Sequence, residues 1–419
     1  MSSVRESSKE ESITQPPKDP VPAPFPDGGA RAWMVALGAG GVLFCTFGYV
    51  NAFGVYQDYY ITHQLSNYSA SDIAWIGSVQ TFFLFGSGLI GGPLFDRYGA
   101  KVIWAPAVFV IFSVMMTSLC SKFYQFFLAQ GILGGISMGL ALSPALSSTA
   151  QYFQKKRAAA MGITIAGSSL GGVIFPIALE QMFYSSLGFA WAVRIVGFVM
   201  LGVMSFSVIG IRARLPPKKQ RFLKLEAFKK PHYVATLTAI FFLNVGIFTP
   251  FFYLPLYGQS HGMSTSLAFY LIAIQNAASF FGRLVPGVIA DKIGPYNMLG
   301  TVSVITAIIT YCWIQMTTNA TIIVFAALYG FFSGGIIGIT PACIANCAGH
   351  PQEIGTYIGM GMAVMSVATL IGPPINGALL NDYGGFLQVQ IFSATVMIFG
   401  GFLAFVAKLV GGKGVLAKG

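Results

Sequence analysis

The sequence predicts an all-α polytopic membrane protein with twelve membrane-crossing helices arranged as two six-helix pseudo-repeats. Three observations carry that prediction. Of 419 residues, 55% are hydrophobic and 9% charged, where a soluble chain carries roughly a quarter charged residues. Twelve runs are apolar enough to cross a ~30 Å hydrocarbon core, which takes about 20 residues of helix. Short patterns in the first six runs return in the last six at a nearly constant offset. Lipid offers a backbone no outside hydrogen-bond partner, so the runs are helices rather than open strands.

The elements follow in order. Residues 1–32 are rich in Ser, Pro and charge, lack the apolar core of a secretory signal, and read as a disordered cytosolic tail. The first bundle, 33–211, holds runs near Trp33–Tyr56, Ile73–Phe95, Val102–Leu119, Phe123–Ser148, Ala158–Leu179 and Ala190–Ile211. A basic cytosolic linker, 212–233, follows. The second bundle, 234–407, holds runs near Val234–Tyr257, Leu267–Ala290, Asn297–Met316, Thr321–Ala345, Thr356–Leu380 and Phe386–Ala407, and residues 408–419 form a C-terminal tail.

A net charge of +11 raises the question of nucleic acid, and the placement of the 24 Lys and Arg residues answers it. Alternate connections hold Arg97 and Lys101, then Lys155, Lys156 and Arg157, then eight residues from Arg212 to Lys230, then Lys292; the opposite connections hold only Lys122. The positive-inside rule puts both termini and the linker in the cytosol. Basicity is therefore a topology signal, and nucleic acid is not a partner. The Asn-x-Ser/Thr sequons at Asn67 and Asn319 fall in outer connections and are candidate glycosylation sites. All five cysteines lie within or at the ends of runs, so no outer disulfide framework is implied. Cys343 and Cys347 share a helix face without a ligand set around them and read as packing residues; no metal or cofactor is implied.

GGPLFDRYGAK at Gly91–Lys101 returns as VPGVIADKIGP at Val285–Pro295, pairing Asp96 with Asp291 at an offset of 195. Gly162 and Pro176 pair with Gly359 and Pro373 at 197, and the glycine pairs Gly134-Gly135 and Gly334-Gly335 at 200. In each Asp-x-x-Gly piece the acid can meet a helix N-terminus while glycine takes the turn. Asp96, Arg97 and Gly99, with Asp291, Lys292 and Gly294, are the candidate gating residues; an ordinary cytosolic turn is the alternative. Small residues four apart let helices approach closely, as packing or as a sliding contact. Two half-bundles around a midplane site form the architecture of alternating access.

Ionisable groups at depth are costly, by about 3 kcal/mol on insertion scales, so their placement is the best functional clue. No acidic residue or histidine lies at the middle of a run; Arg283 is the deep charge, in QNAASFFGRLVPG. Gln275, Asn276, Ser279 and Arg283 recur at spacings of three and four and predict one polar stripe. A guanidinium facing a cavity with no carboxylate beside it suits an anion supplied by the substrate; snorkelling toward the cytosol is the alternative. Arg194 lies nearer the outer interface, within reach of Glu180. Asn51 and Tyr49 in the first run, Asn244 in the seventh and Asn346 at the end of the tenth are candidate polar liners, or else interhelical hydrogen-bond residues. With Arg283, Ser279 and Asn276 they make the candidate substrate site.

The membrane region resembles the major facilitator superfamily. PDGGARAW at Pro26–Trp33 and YFQKKRAAAMGITIAGSSLGG at Tyr152–Gly172 are similar to the two signatures of its monocarboxylate porter family, in the fungal form. The resemblance implies the major facilitator fold and matches Arg283 to that family's eighth-helix arginine. Asn51 stands near the place of its first-helix lysine, and Ser279 stands where its aspartate would be. Anion recognition is thus implied, whereas proton coupling through a lysine and aspartate pair is not.

The leading expectation is a secondary active transporter of a small organic anion, monocarboxylate-like, or of an acidic metabolite, in the plasma membrane or a vacuolar or other internal one. Proton or counter-ion coupling is a possibility that the residues leave open. An efflux carrier for a fungal secondary metabolite is the alternative, although GSSLGG at Gly167–Gly172 places Ser168 where exporters tend to carry proline. A non-transporting nutrient sensor is a minor one. An intramembrane enzyme would need a catalytic constellation at depth, which the runs lack.

Overall fold

The structure, a computed structural model, describes residues 25–217, 222–412 and 414. Residues 1–24 of the expected tail, 218–221 of the linker, and 413 and 415–419 of the C-terminal tail lie outside the described residues. Among the described residues, eleven continuous helical runs are long and apolar enough to cross a membrane. One of them, Ala70–Thr117, spans 48 residues, more than twice what one crossing takes. It turns back at Gly99, where φ is +73°, and so makes two crossings. The twelve crossings are α1 (Ala30–Thr62), α2 (70–98), α3 (99–117), α4 (Phe123–Tyr152), α5 (Arg157–Phe183), α6 (Gly188–Gly210), α7 (Pro231–Ser260), α8 (Thr265–Ile293), α9 (Pro295–Gln315), α10 (Asn319–Asn346), α11 (Pro351–Tyr383) and α12 (Leu387–Val410).

Two helices are broken near their middle. In α1 a π-helical stretch, Phe44–Gly48, precedes a turn at Asn51 and Ala52. In α7 the helix restarts at Thr249, one residue before Pro250, whose ring cannot continue the preceding hydrogen-bond ladder. Extra residues in a helical turn and proline are the usual causes of such kinks.

Helices α3, α6, α9 and α12 form the outer, lipid-facing shell. Val108, Phe206 and Phe402 are 65%, 74% and 61% exposed there, as a membrane rather than water requires. Helix α2 packs on α4 in the first half as α8 packs on α10 in the second, and the halves meet where α5 lies on α8 and α2 lies on α11. Both crossings depend on glycine: a Cβ at Gly162 would collide with the Arg283 carbonyl oxygen, and one at Gly359 with the Gly88 carbonyl oxygen.

Contact equivalence corrects one repeat register. Gly135 and Gly139 of α4 abut the backbone of Gln80 and Leu84, while Gly330 and Gly334 of α10 abut that of Gln275 and Ser279. The equivalent pairs are therefore Gly135 with Gly330 and Gly139 with Gly334, which shortens the offset from the expected 200 to 195. The dipeptide Gly-Gly recurs by coincidence of composition; packing against the neighbouring helix sets the true alignment.

Residues 25–32 of the expected tail are held in place against the first bundle. Asp27 Oδ1 accepts hydrogen bonds from the backbone N–H groups of Gln154 and Lys155 at 2.6 and 2.7 Å, and Phe25 lies beneath the guanidinium groups of Arg157 and Arg214, 5.5 and 4.6 Å from its ring centroid. One acid and one ring fix this segment although its composition has no apolar run.

Candidate functional site

Arg283 is 2% exposed and reaches from α8 into the other half of the protein. Its Nη1 donates to the Ile165 carbonyl at 2.7 Å and makes a short contact to Ser168 Oγ, both on α5. The guanidinium also stands 5.9 Å from the Phe47 ring centroid on α1. Its hydrogen-bond acceptors are neutral, and Nε has no partner within the protein. A buried charge held only by a carbonyl and a hydroxyl keeps capacity for an anion.

The predicted polar stripe does form one arc of α8, but the arc is divided between two neighbours. Asn276 and Arg283 face α5 and α1: Asn51 Nδ2 donates to Asn276 Oδ1 at 3.5 Å, and both amides crowd Gly172 of α5. Gln275 and Ser279 instead face α10, against Gly330 and Gly334. Residues three and four apart still fan over about 100° of a helix with 3.6 residues per turn, so the stripe straddles two contacts. Both amide atoms of Gln275 and the hydroxyl of Ser279 are buried without a partner. Buried polar atoms left unpaired cost about 1–3 kcal/mol each, and a ligand or a second conformation is the usual recipient of such groups.

Between the halves lie two small cavities, of about 20 and 40 Å³. Phe47, Phe85, Ile337 and Met365 line both; Leu142, Ile165 and Met362 add to one, and Ile336 and Phe248 to the other. Asn244 and Thr340 are their polar contributions. The centre is thus mainly apolar, in contrast to the polar lining that the sequence predicts. Phe47 joins the two environments, since it walls both cavities and sits over Arg283.

Two expected liners lie elsewhere. Tyr49 is buried inside the first half, where its hydroxyl donates to Tyr56 at 2.8 Å and its ring meets Phe175. The π-helical stretch just before it shifts the residue's bearing, which a regular helical count does not anticipate. Asn346 is exposed at the cytosolic end of α10, where its Oδ1 accepts from Arg157 Nη1 at 2.6 Å; the helix runs too far past the midplane for this residue to reach the cavities. Arg194 is near the outer face, donating to Ser118 at 3.2 Å and standing over Trp191.

On the cytosolic side two carboxylates cross between the halves. Asp96 of α2 accepts from the N–H groups of Gly355 and Thr356 at 3.1 and 2.6 Å and from the Thr356 hydroxyl at 2.8 Å, at the start of α11. Asp291 of α8 accepts from the N–H groups of Ala158 and Ala159 at 2.9 and 3.0 Å, at the start of α5. Each satisfies orphan donors at a helix N-terminus and sits at the positive end of its dipole. Gly99 and Gly294 take the turns at φ +73° and +101°. Arg97 stands over Tyr98 at 5.7 Å, and Lys292 is exposed. Among the described residues, hydrogen bonds between the two helical halves lie at the Asn51–Asn276 pair or on its cytosolic side, so this is a conformation closed toward the cytosol. Asn67 and Asn319 are exposed at the opposite end. Cys343 and Cys347 are buried, and Tyr296 Oη contacts the carbonyl of the first at 3.1 Å and the sulfur of the second at 3.3 Å.

Comparison with known proteins agrees with this geometry. The family model for the Major Facilitator Superfamily matches residues 38–350 and 287–414. The aspyridones efflux protein apdF of Emericella nidulans is 90% identical over 414 residues, covering 99% of this chain and 85% of that protein. The agnestins efflux protein AgnL12 of Paecilomyces divaricatus is 40% identical over 394 residues, covering 93% and 90%. A crystal structure of the human organic anion transporter MFSD10 (TETRAN) has the same fold, with a TM-score of 0.73 at 15% identity, over 90% of this chain and 100% of that one. With twelve crossings in two equivalent halves, paired carboxylate turns and these relatives, the chain belongs to the Major Facilitator Superfamily of membrane transporters.

Proposed function

We propose that the protein exports an acidic, amphipathic secondary metabolite across the plasma membrane by alternating access. The observation that carries this reading is the pairing of environments around Phe47: a buried guanidinium with neutral partners on one side, an aromatic and aliphatic cavity on the other. An acidic group would replace the Ile165 and Ser168 acceptors at Arg283, and a larger apolar body would occupy the space between Phe85, Ile337, Met362 and Met365. A monocarboxylate of a few carbons has no use for so apolar a chamber, so the efflux reading is preferred over the small-anion one. The similarity to the aspyridones and agnestins efflux proteins supports it.

The cavities are too small for such a molecule, as a contracted resting conformation would have them. Asp96 and Asp291 act as paired latches of the cytosolic side, with Gly99 and Gly294 shaping their turns and Arg157–Asn346 as a third tie. Release of these caps opens the chamber inward, where Gln275, Ser279, Asn276, Asn51 and Asn244 gain partners. The reading is a transporter rather than an enzyme. Coupling to protons would have to use groups other than a carboxylate at position 279, which is Ser.

The test is uptake into inside-out vesicles of a panel of labelled acids, graded from small monocarboxylates to large polyketide-type acids. Saturable uptake that rises with apolar size is expected. Uptake confined to the small acids would overturn the proposed substrate class.

A further inference from the structure

The segment joining the two halves carries an apolar edge that the other described residues leave exposed. From Phe222 to Lys230 it reads FLKLEAFKK, and Leu225–Lys229 is wound as a 3-10 helix. Three residues per turn put Leu225 and Phe228 on one edge, and Phe222 precedes the helix. Phe222, Leu225 and Phe228 are 39%, 69% and 41% exposed, while Ala227 is buried against the protein.

Two lysines fix the height of this edge. Lys224 is paired with Glu353, and Lys230 Nζ donates to Tyr357 Oη at 3.0 Å, so both are tied to the first turns of α11. The Tyr357 hydroxyl raises the pKa of Lys230 above the ordinary lysine value. Phe228 meets Tyr233 edge-on at 5.6 Å, and Val234, the next residue of α7, already belongs to its exposed apolar surface. The edge therefore continues the lipid-facing belt at the level where α7 and α11 leave the bilayer. Its charge is one-sided: Phe222 to Lys230 contains three Lys and one acid, Glu226.

We propose that residues 222–230 form an interfacial strap that binds anionic phospholipid of the cytosolic leaflet. Phe222, Leu225 and Phe228 enter the boundary between headgroups and acyl chains, and Lys229 meets headgroup phosphate. Basic segments with an apolar edge bind such surfaces through both terms together. Continuity with the lipid belt and the excess of positive charge favour a lipid surface over a second copy of the chain or a soluble partner.

The test places an environment-sensitive fluorophore on Leu225→Cys in the full chain, with Cys120 and Cys312, the cysteines that are not buried, changed to Ser. The protein is studied in phosphatidylcholine nanodiscs and in nanodiscs that also contain phosphatidylserine. Blue-shifted emission and quenching by brominated lipid are expected only with phosphatidylserine, reversed by high salt. Lys229→Gln should raise the phosphatidylserine content needed by about fivefold. Solvent-like emission in both discs, or an equal shift in both, would each overturn the proposal. Hydrogen exchange of 222–230 in the unlabelled wild type provides a second reading: protection only with phosphatidylserine supports the strap, and equal protection in both discs contradicts it.

Discussion

At Arg283 the two halves of the protein meet through a charge. The equivalent place in the first half, 195 residues earlier, is Gly88, packed against Met362, so the pseudo-symmetry of the seam is broken at the position of this guanidinium. Arg283→Ala should lower export of an acidic substrate by about ten- to a hundredfold, the value of a hydrogen bond to a charged group, with membrane insertion unchanged; initial rates in vesicles check this. Arg283→Lys should fall between, because an ammonium keeps the charge but loses the planar fork. Asn346→Ala should leave substrate KM unchanged while increasing cytosolic labelling of cysteines placed in the chamber, because its partner Arg157 belongs to the closed gate. A deep arginine in an apolar run is visible in sequence alone. The positions of Tyr49 and Asn346 were not, since one follows a π-helical stretch and the other lies on a helix longer than its apolar run.

Among the elements, the two carboxylate caps are the cytosolic latches of the proposed cycle. A capping interaction is worth about 1 kcal/mol when the cap is replaced by Ala, so Asp96→Ala and Asp291→Ala should each shift the closed-to-open ratio toward the cytosol-open form by about fivefold. Double electron–electron resonance between labels on α4 and α10 would read the shift, and unchanged distances would remove the caps from the gate. Gly162→Val and Gly359→Val should act in the same direction by steric means, since both glycines touch carbonyls across the seam. The Asp-x-x-Gly turns themselves were legible because turn chemistry is local. Their partners were not: Gly355 stands 259 residues from Asp96 and Ala158 stands 133 from Asp291, and no local pattern encodes such a contact. The register of α4 against α10 escaped for a related reason, as glycine dipeptides mark close packing without naming the neighbour.

For the whole molecule, hydrophobic run length and the alternation of basic loops suffice to predict a helical bundle with two repeats, because the bilayer dictates both. What they leave out is the character of the chamber. Phe47, Phe85, Ile337 and Met365 look like ordinary lipid or core residues in sequence, and only the convergence of both halves makes them one apolar space. That space beside Arg283 is the core of the proposed function, and a matched pair of substrates isolates it. Initial uptake rates of an apolar-bodied acid and its methyl ester should be measured in inside-out vesicles for wild type and Arg283→Ala. The expected result is a preference for the acid of about tenfold or more in the wild type that disappears in Arg283→Ala, with residual ester transport retained. An undiminished preference for the acid in Arg283→Ala would contradict an anion site at this residue.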